Sequence, residues 1–224
     1  PARSGGAAQV SGPARRASEA FNATHAIPAG QTVPDGYVDG GRRARFEPGG
    51  VASSREVIVV DREKDMELGA QLAFARSLRD LPEEPRALAL LEHVANLYEP
   101  PGSDGAISAS ERLADRFRGA ATYLGEIPQL EGGGACRHRA LMLKVLGDEA
   151  GLDVTLQRGN ADFGPGGRGG HAWNVIDIGG RSFLADPMNP TRQHGAARLV
   201  PVDDPAVARS YLDVSWKPIY GGPA

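Results

Sequence analysis

Only one cysteine, Cys136, stands in this chain of 224 residues, which excludes an internal disulfide scaffold and leaves a thiol suited to a reducing compartment or to chemistry. Aromatic residues are scarce at 6%, and no basic run is interleaved with them, so nucleic acid is not an expected partner. No single sign of charge dominates, because 25 Lys and Arg stand against 28 Asp and Glu for a net charge of -3 at pH 7. No apolar run approaches the length that spans a bilayer, so no membrane partner is expected, and no signal-peptide pattern opens the chain. The first residue is Pro1 rather than methionine, and a fragment or a processed form is the expectation. Internal repeats are absent.

The length suits one large domain, or one domain with an extension, and the hydrophobic fraction of 41% suffices for a core. Residues 1–54 are heavy in Gly, Ala, Pro, Ser and Arg with few large apolar side chains. Such a composition buries too little surface to offset its ordering entropy, and it predicts a disordered or loosely docked arm. Its Arg15-Arg16 and Arg42-Arg43 pairs are then solvated. The domain proper is expected over 55–224. A strand is predicted at 55–60 and helices at 66–79 and 85–98, the latter with Leu88, Leu91, Ala95 and Tyr98 on its buried face and His93 at the surface. Ser108 or Ser110 is placed to cap a further helix whose apolar face is Leu113, Phe117, Ala120, Ala121 and Leu124.

Three glycines, Gly132 to Gly134, precede Cys136, and from there Cys-Arg-His-Arg-Ala-Leu-Met-Leu-Lys-Val-Leu146 reads as an amphipathic helix ending near Ala150, with Gly151 as its stop. Leu141, Met142, Val145 and Leu146 face the core. A thiol at a helix start meets unpaired N–H groups and the positive end of the macrodipole, both of which favour the reactive thiolate. Next come a strand at 154–158 and a glycine-rich loop at 159–170, a candidate lid or equally an ordinary flexible connector. His171 then opens His-Ala-Trp-Asn-Val-Ile-Asp-Ile178, a Gly179-Gly180 pair follows, and Arg-Ser-Phe-Leu-Ala-Asp186 returns. Helices followed by antiparallel strands make an α+β layout.

The register of that hairpin follows from arithmetic. A two-residue turn at Gly179-Gly180 pairs Ile178 with Arg181, so facing positions share one sum, Trp173 faces Asp186 and His171 faces Met188. Side chains alternate faces, so His171, Trp173, Asp186 and Met188 share a side, and His171 and Asp186 become diagonal neighbours within reach of each other. A three-residue loop would break this register. Trp173 is placed to shield the pair from water, or simply to serve as a core aromatic.

The order Cys136, His171, Asp186, together with Cys-Arg-His-Arg-Ala-Leu-Met-Leu-Lys-Val-Leu, Gly-His-Ala-Trp-Asn-Val175 and Leu-Ala-Asp-Pro187, resembles the transglutaminase-like branch of the papain-like cysteine hydrolases. More narrowly, it is similar to the peptidase-like domain of plant Raf-like kinases of the ethylene-response and disease-resistance type and its bacterial relatives. The resemblance covers about residues 124 to 190. It implies an α+β papain-like or transglutaminase-like domain, with the cysteine helix packed on a small antiparallel sheet. It further implies a thiol acyl-transfer site acting on a peptide bond or glutamine amide of a protein or peptide substrate, as a protease, deamidase or transglutaminase, with no cofactor. Some plant members have lost the cysteine, so a catalytically silent interaction domain is the alternative.

In the enzyme reading Cys136 is the nucleophile, His171 the acid and base, and Asp186 the group that orients the imidazole. The Cys136 N–H is a natural oxyanion donor, and Gln129 is a weaker candidate, as are Tyr123 and Asn174. His138, two positions after Cys136, points elsewhere and reads as a surface or packing histidine. Arg137 and Arg139 read as solvated or paired with Asp148-Glu149, and His194 as a solvated loop residue. A zinc site on Cys136, His171, Asp186 and His194 lacks the short paired spacings of strong zinc motifs, so no metal is expected. The C-terminal tail is expected to pack through Trp216 and Tyr220. The compartment, cytoplasmic or that of a secreted bacterial effector, is left open, as are the oligomeric state and the choice among hydrolysis, deamidation and transamidation.

Overall fold

The computed structural model describes residues 10, 12–98, 121–130 and 134–220. The N-terminal part contains α1 (Gly12–Thr24), β1 (Ala26–Ile27), β2 (Tyr37–Asp39), β3 (Arg45–Glu47), β4 (Gly50–Ala52) and β5 (Val57–Val60). Two helices follow, α2 (Met66–Ser77) and α3 (Glu83–Leu97), and then β6 (Ala121–Tyr123) and a 3-10 helix (Leu124–Gln129). The remainder holds α4 (Cys136–Ala150), β7 (Asp153–Asp162), β8 (Arg168–Ile178), β9 (Arg181–Ala185), β10 (Arg192–Gln193), β11 (Ala196–Ala197), β12 (Val200–Pro201), α5 (Pro205–Ala208) and β13 (Tyr211–Leu212).

The main sheet is antiparallel, in the order β1-β7-β8-β9-β12, with β13 joining β7 further along the edge that β1 occupies. Helix α4 lies across one face of it, against β7 and β8, and is covered in turn by α2 and α3. That position explains why α4 is buried nearly all round, Arg137, His138, Arg139 and Lys144 included. The helix approaches the sheet closely at Gly147, where a methyl group would sit 2.4 Å from Val154 Cγ2. It stops at Gly151, whose left-handed φ of 73° lets the Leu152 N–H turn back to the Gly147 carbonyl. On the opposite face of the sheet Trp173, Val175, Leu184, Ala208 and Tyr211 form a second, smaller core. The fold is thus a mixture of helices and antiparallel sheet, an α+β class.

Several expectations are corrected. Residues 12–54 are not a loose arm, because Phe21, Ile27, Val33 and Tyr37 enter the main core. The segment has few apolar residues, but β1 adds to the edge of β7, and the Arg158 N–H donates to the His25 carbonyl at 2.8 Å. Pairing of β1 with β7 and of β2 with β5, together with this burial, therefore offsets an ordering cost that composition alone could not. Arg42 is not simply solvated, since it donates to the Gly159 carbonyl and to Asn160 Oδ1. The helix read through Ala121 and Leu124 gives way there to β6, paired in parallel with β5, and the 3-10 helix, while its earlier part lies outside the described residues. The stretch 159–170 is mostly strand, the ladder from β7 to β8 running out to Asp162 and Arg168. His93 is half-buried, stacked on Phe74 with ring centroids 4.0 Å apart.

Docking of α1 can be measured. Phe21 is buried, with the Arg158 guanidinium 4.4 Å over its ring. Phe21→Ala is expected to destabilise the protein by about 3 kcal/mol in urea unfolding. No change in the midpoint would mean that the helix does not contribute to the cooperative unit.

Candidate active site

Cys136 is the first residue of α4 and remains partly exposed. Its predecessor Ala135 takes the N-cap position with extended backbone and has no side chain able to cap. The thiol lies near enough to the His171 ring and to the Ala172 backbone N–H for both to favour its thiolate. The histidine comes from β8, and the β8 to β9 hairpin has the expected register, from Ile178 opposite Arg181 to Asn174 opposite Ala185. Its two-residue turn carries positive φ at both glycines, 56° at Gly179 and 79° at Gly180, as a type I′ turn requires. One step beyond the ladder, Asp186 falls where the sum rule puts it. His171 Nε2–H donates to Asp186 Oδ2 at 2.6 Å, which leaves Nδ1 for the thiol.

The carboxylate is held from every side. Asp186 Oδ1 accepts the backbone N–H groups of Met188 at 3.0 Å and Asn189 at 3.1 Å. Oδ2 also accepts from Asn189 Nδ2 at 3.3 Å and from the Tyr211 hydroxyl at 3.1 Å. The imidazole sits in an aromatic frame. Trp173 is stacked on it at 6.0 Å with an interplanar angle of 16°, and Phe163 meets it edge-on at 5.5 Å. Trp173 is fixed in turn by its indole N–H, which donates to the Tyr220 hydroxyl at 3.0 Å.

This environment sets the charges. Burial alone disfavours an imidazolium at His171, but the charge and hydrogen bond of Asp186, together with the thiolate of Cys136, outweigh it and push the histidine up to about 10. Burial would likewise push the thiol up, yet the His171 hydrogen bond and charge and the Ala172 N–H bring it below its ordinary value. At Asp186 burial again opposes charge, and His171 with the two backbone N–H groups holds the carboxyl below its usual range. All three shifts run in the direction that favours thiolate, imidazolium and carboxylate. Arg42 and Arg139 add positive charge within electrostatic reach of the thiol.

The other candidates fall elsewhere. Gln129 is exposed at the end of the 3-10 helix and, among the described residues, makes no hydrogen bond to the cysteine, histidine or aspartate. Asn174 is buried and donates to the Ala140 carbonyl at 3.0 Å, tying β8 to α4. Tyr123 is half-buried on β6. His194 is exposed in the turn between β10 and β11. His138 is a packing histidine and in no sense a surface one, since it is fully buried against Glu56. Arg137 and Arg139 are likewise buried rather than solvated or paired with 148–149. Arg137 donates to the carbonyls of Glu56 and Asp39, and Arg139 to those of Gly134 and Ala95. Among the described residues no group of three or more His, Cys, Asp or Glu side chains is arranged to hold a metal ion. The sequence reading missed Tyr211, Phe163 and Arg42, which reach the site from separate segments and carry no local motif.

A cysteine-bearing helix packed on an antiparallel sheet, with a histidine from β8 and an aspartate just after β9 beside it, is consistent with a peptidase-like domain. The family model described as EDR1/CTR1/ARMC3, peptidase-like, matches residues 47–190, and the chain belongs to that family. The match contains Cys136, His171 and Asp186 but not Arg42, Tyr211 or Tyr220. No curated protein matches the chain.

Proposed function

We propose that the protein is a papain-like, transglutaminase-like thiol acyl-transfer enzyme that attacks a peptide bond or a glutamine side-chain amide of a protein substrate. The observation that carries this reading is the His171–Asp186 hydrogen bond at 2.6 Å beside a partly exposed Cys136 thiol near enough for thiol and imidazole to shift one another toward thiolate and imidazolium. In the resting state the thiolate and the imidazolium form an ion pair. Sγ attacks the carbonyl carbon, the C–S bond forms, and the carbonyl electrons move onto oxygen as an oxyanion. The Cys136 N–H at the helix start is the donor aimed at that charge. As the tetrahedral species collapses, the C–N bond breaks and His171 gives its proton to the departing amine. Neutral His171 then takes a proton from water or an acceptor amine, which attacks the thioester and releases the thiolate. Asp186 holds the ring orientation throughout and keeps its own charge.

The reading is tested by the pH dependence of Cys136 alkylation with iodoacetamide. The wild type is expected to react on a plateau that begins below the ordinary thiol range and ends as His171 deprotonates near pH 10. In His171→Ala the plateau should vanish, and reactivity should rise only near the ordinary thiol value, about 8.5. Identical profiles that both rise there would instead leave a catalytically silent interaction domain.

A further inference from the structure

Immediately before the cysteine, one peptide unit is gripped at both ends. The C=O of Gly134 accepts Arg139 Nε–H at 2.7 Å, and the N–H of the same peptide, on Ala135, donates to His138 Nδ1 at 3.0 Å. Both side chains come from the first turn of α4, and each is anchored behind. His138 Nε2–H donates to Glu56 Oε1 at 2.8 Å, and Arg139 donates to the Ala95 carbonyl at 3.1 Å with its guanidinium 4.9 Å over the Tyr98 ring. The same ring closes the remaining space, because a methyl group on Gly134 would lie 2.3 Å from Tyr98 Cδ1. Gly134 itself has φ of 105°, a conformation that L side chains rarely adopt.

The tautomer of His138 follows from its partners. An amide N–H can only donate, so Nδ1 must be the acceptor and Nε2 must carry the proton that goes to Glu56. His138 is therefore neutral and is not available as a base. It stands at the third helical position, where a Glu or Gln in an ordinary capping box reaches back to the N-cap N–H. In that box the N-cap side chain returns the favour, but Ala135 has none. The clamp replaces it with a fixed peptide plane.

We infer that His138 and Arg139, backed by Glu56, are positioning residues that fix the Gly134–Ala135 peptide and thereby aim the Cys136 N–H at the developing oxyanion. The consequence for catalysis rests on the acyl-transfer reading, whereas the clamp itself does not. It divides the tasks of Cys136-Arg137-His138-Arg139. The first reacts, the second ties the helix start to β2 and to the residue before β5 through the Asp39 and Glu56 carbonyls, and the last two hold the peptide at its two ends.

The test separates a reaction that builds an oxyanion from one that does not. p-Nitrophenyl acetate acylates a thiol through a tetrahedral oxyanion, whereas iodoacetamide is displaced at a saturated carbon and needs only the thiolate. His138→Leu removes the acceptor, and its acylation burst is expected to slow by about 10²-fold, while alkylation at pH 6 stays near the wild-type rate. His138→Gln restores the acceptor of an ordinary capping box and should recover acylation to within about threefold. Arg139→Met keeps an unbranched apolar stem and removes the donor, providing a second variant should His138→Leu fail to fold. Equal slowing of both reactions, or undiminished acylation in His138→Leu, would overturn the proposal. If the wild type alkylates rapidly but gives no burst, the acyl-transfer reading fails instead. In that case amide exchange at Ala135 decides the clamp, which requires protection in wild type and His138→Gln and loss of it in His138→Leu.

Discussion

Asp186→Asn is expected to leave a folded protein whose acyl-transfer rate is lower by about 10⁴-fold, the scale set by the same change in serine triads. The reason lies in the donors around the carboxylate. Oδ1 faces two backbone N–H groups, and Oδ2 faces His171, Tyr211 and Asn189. An amide has one oxygen for these two sides. If that oxygen serves the backbone, its NH2 confronts His171 Nε2, which must then become an acceptor and move its proton to Nδ1. A proton on Nδ1 points at the thiol, and neutral His171 can no longer receive one there. Removal of the negative charge also lowers the histidine from about 10, so the ion pair reverts toward thiol and imidazole. The acid limb of alkylation accordingly moves up toward about 8.5, where at pH 6 only about one thiol in 300 is ionised. An unmoved acid limb together with undiminished acyl transfer would remove Asp186 from the mechanism.

The second large effect is on stability. Glu56 is 1% exposed and faces two buried bases, His138 at 2.8 Å and Arg137 at 3.3 Å. Burial opposes its charge, but the His138 hydrogen bond and the Arg137 guanidinium outweigh that and hold the carboxyl at about 2. Glu56→Ala leaves the His138 N–H without its acceptor and the Arg137 guanidinium with only the more distant Asp39 carboxylate at 3.9 Å in a dry interior, and it should cost about 3–5 kcal/mol in urea unfolding. The pH dependence carries a matching signature. A carboxyl depressed from 4.5 to about 2 contributes stability that is fully present above pH 4.5 and is lost as pH falls through 2, roughly 3 kcal/mol in all. That portion of acid destabilisation should be missing from the variant. A loss below about 1 kcal/mol would class the pair with surface ion pairs.

The parts of the fold that could be read from the sequence are those governed by short-range rules. The two-residue glycine turn fixes the β8 to β9 register, and from it the meeting of His171 and Asp186 follows by counting. Helix α4 begins at Cys136 and stops at Gly151 because glycine punctuation and apolar periodicity are local. The remainder depends on partners that are distant in sequence. Arg137, His138 and Arg139 look like the solvated face of an amphipathic helix, but α4 has no solvated face, lying between the sheet and two other helices. The glycines of 159–170 look like loop residues. Gly159 is a strand residue kept small by its neighbours, since a methyl group there would stand 2.1 Å from the Leu212 carbonyl oxygen. Order in residues 12–54 comes largely from partners outside the segment, β7 for β1 and β5 for β2, which composition does not reveal.

The support of Asp186 bears on how kinship should be used to infer competence. Cys136, His171 and Asp186 lie inside the stretch matched by the family model, 47–190. Their furniture does not: the Tyr211 hydroxyl on the carboxylate and the Tyr220 oxygen that fixes Trp173 come after it, and Arg42 comes before it. A cysteine, a histidine and an aspartate at matching positions in a relative are therefore an incomplete inheritance. On the acyl-transfer reading, whether such a relative keeps a working thiol turns as well on residues flanking the shared stretch, where the trace is only a scattered tyrosine or arginine.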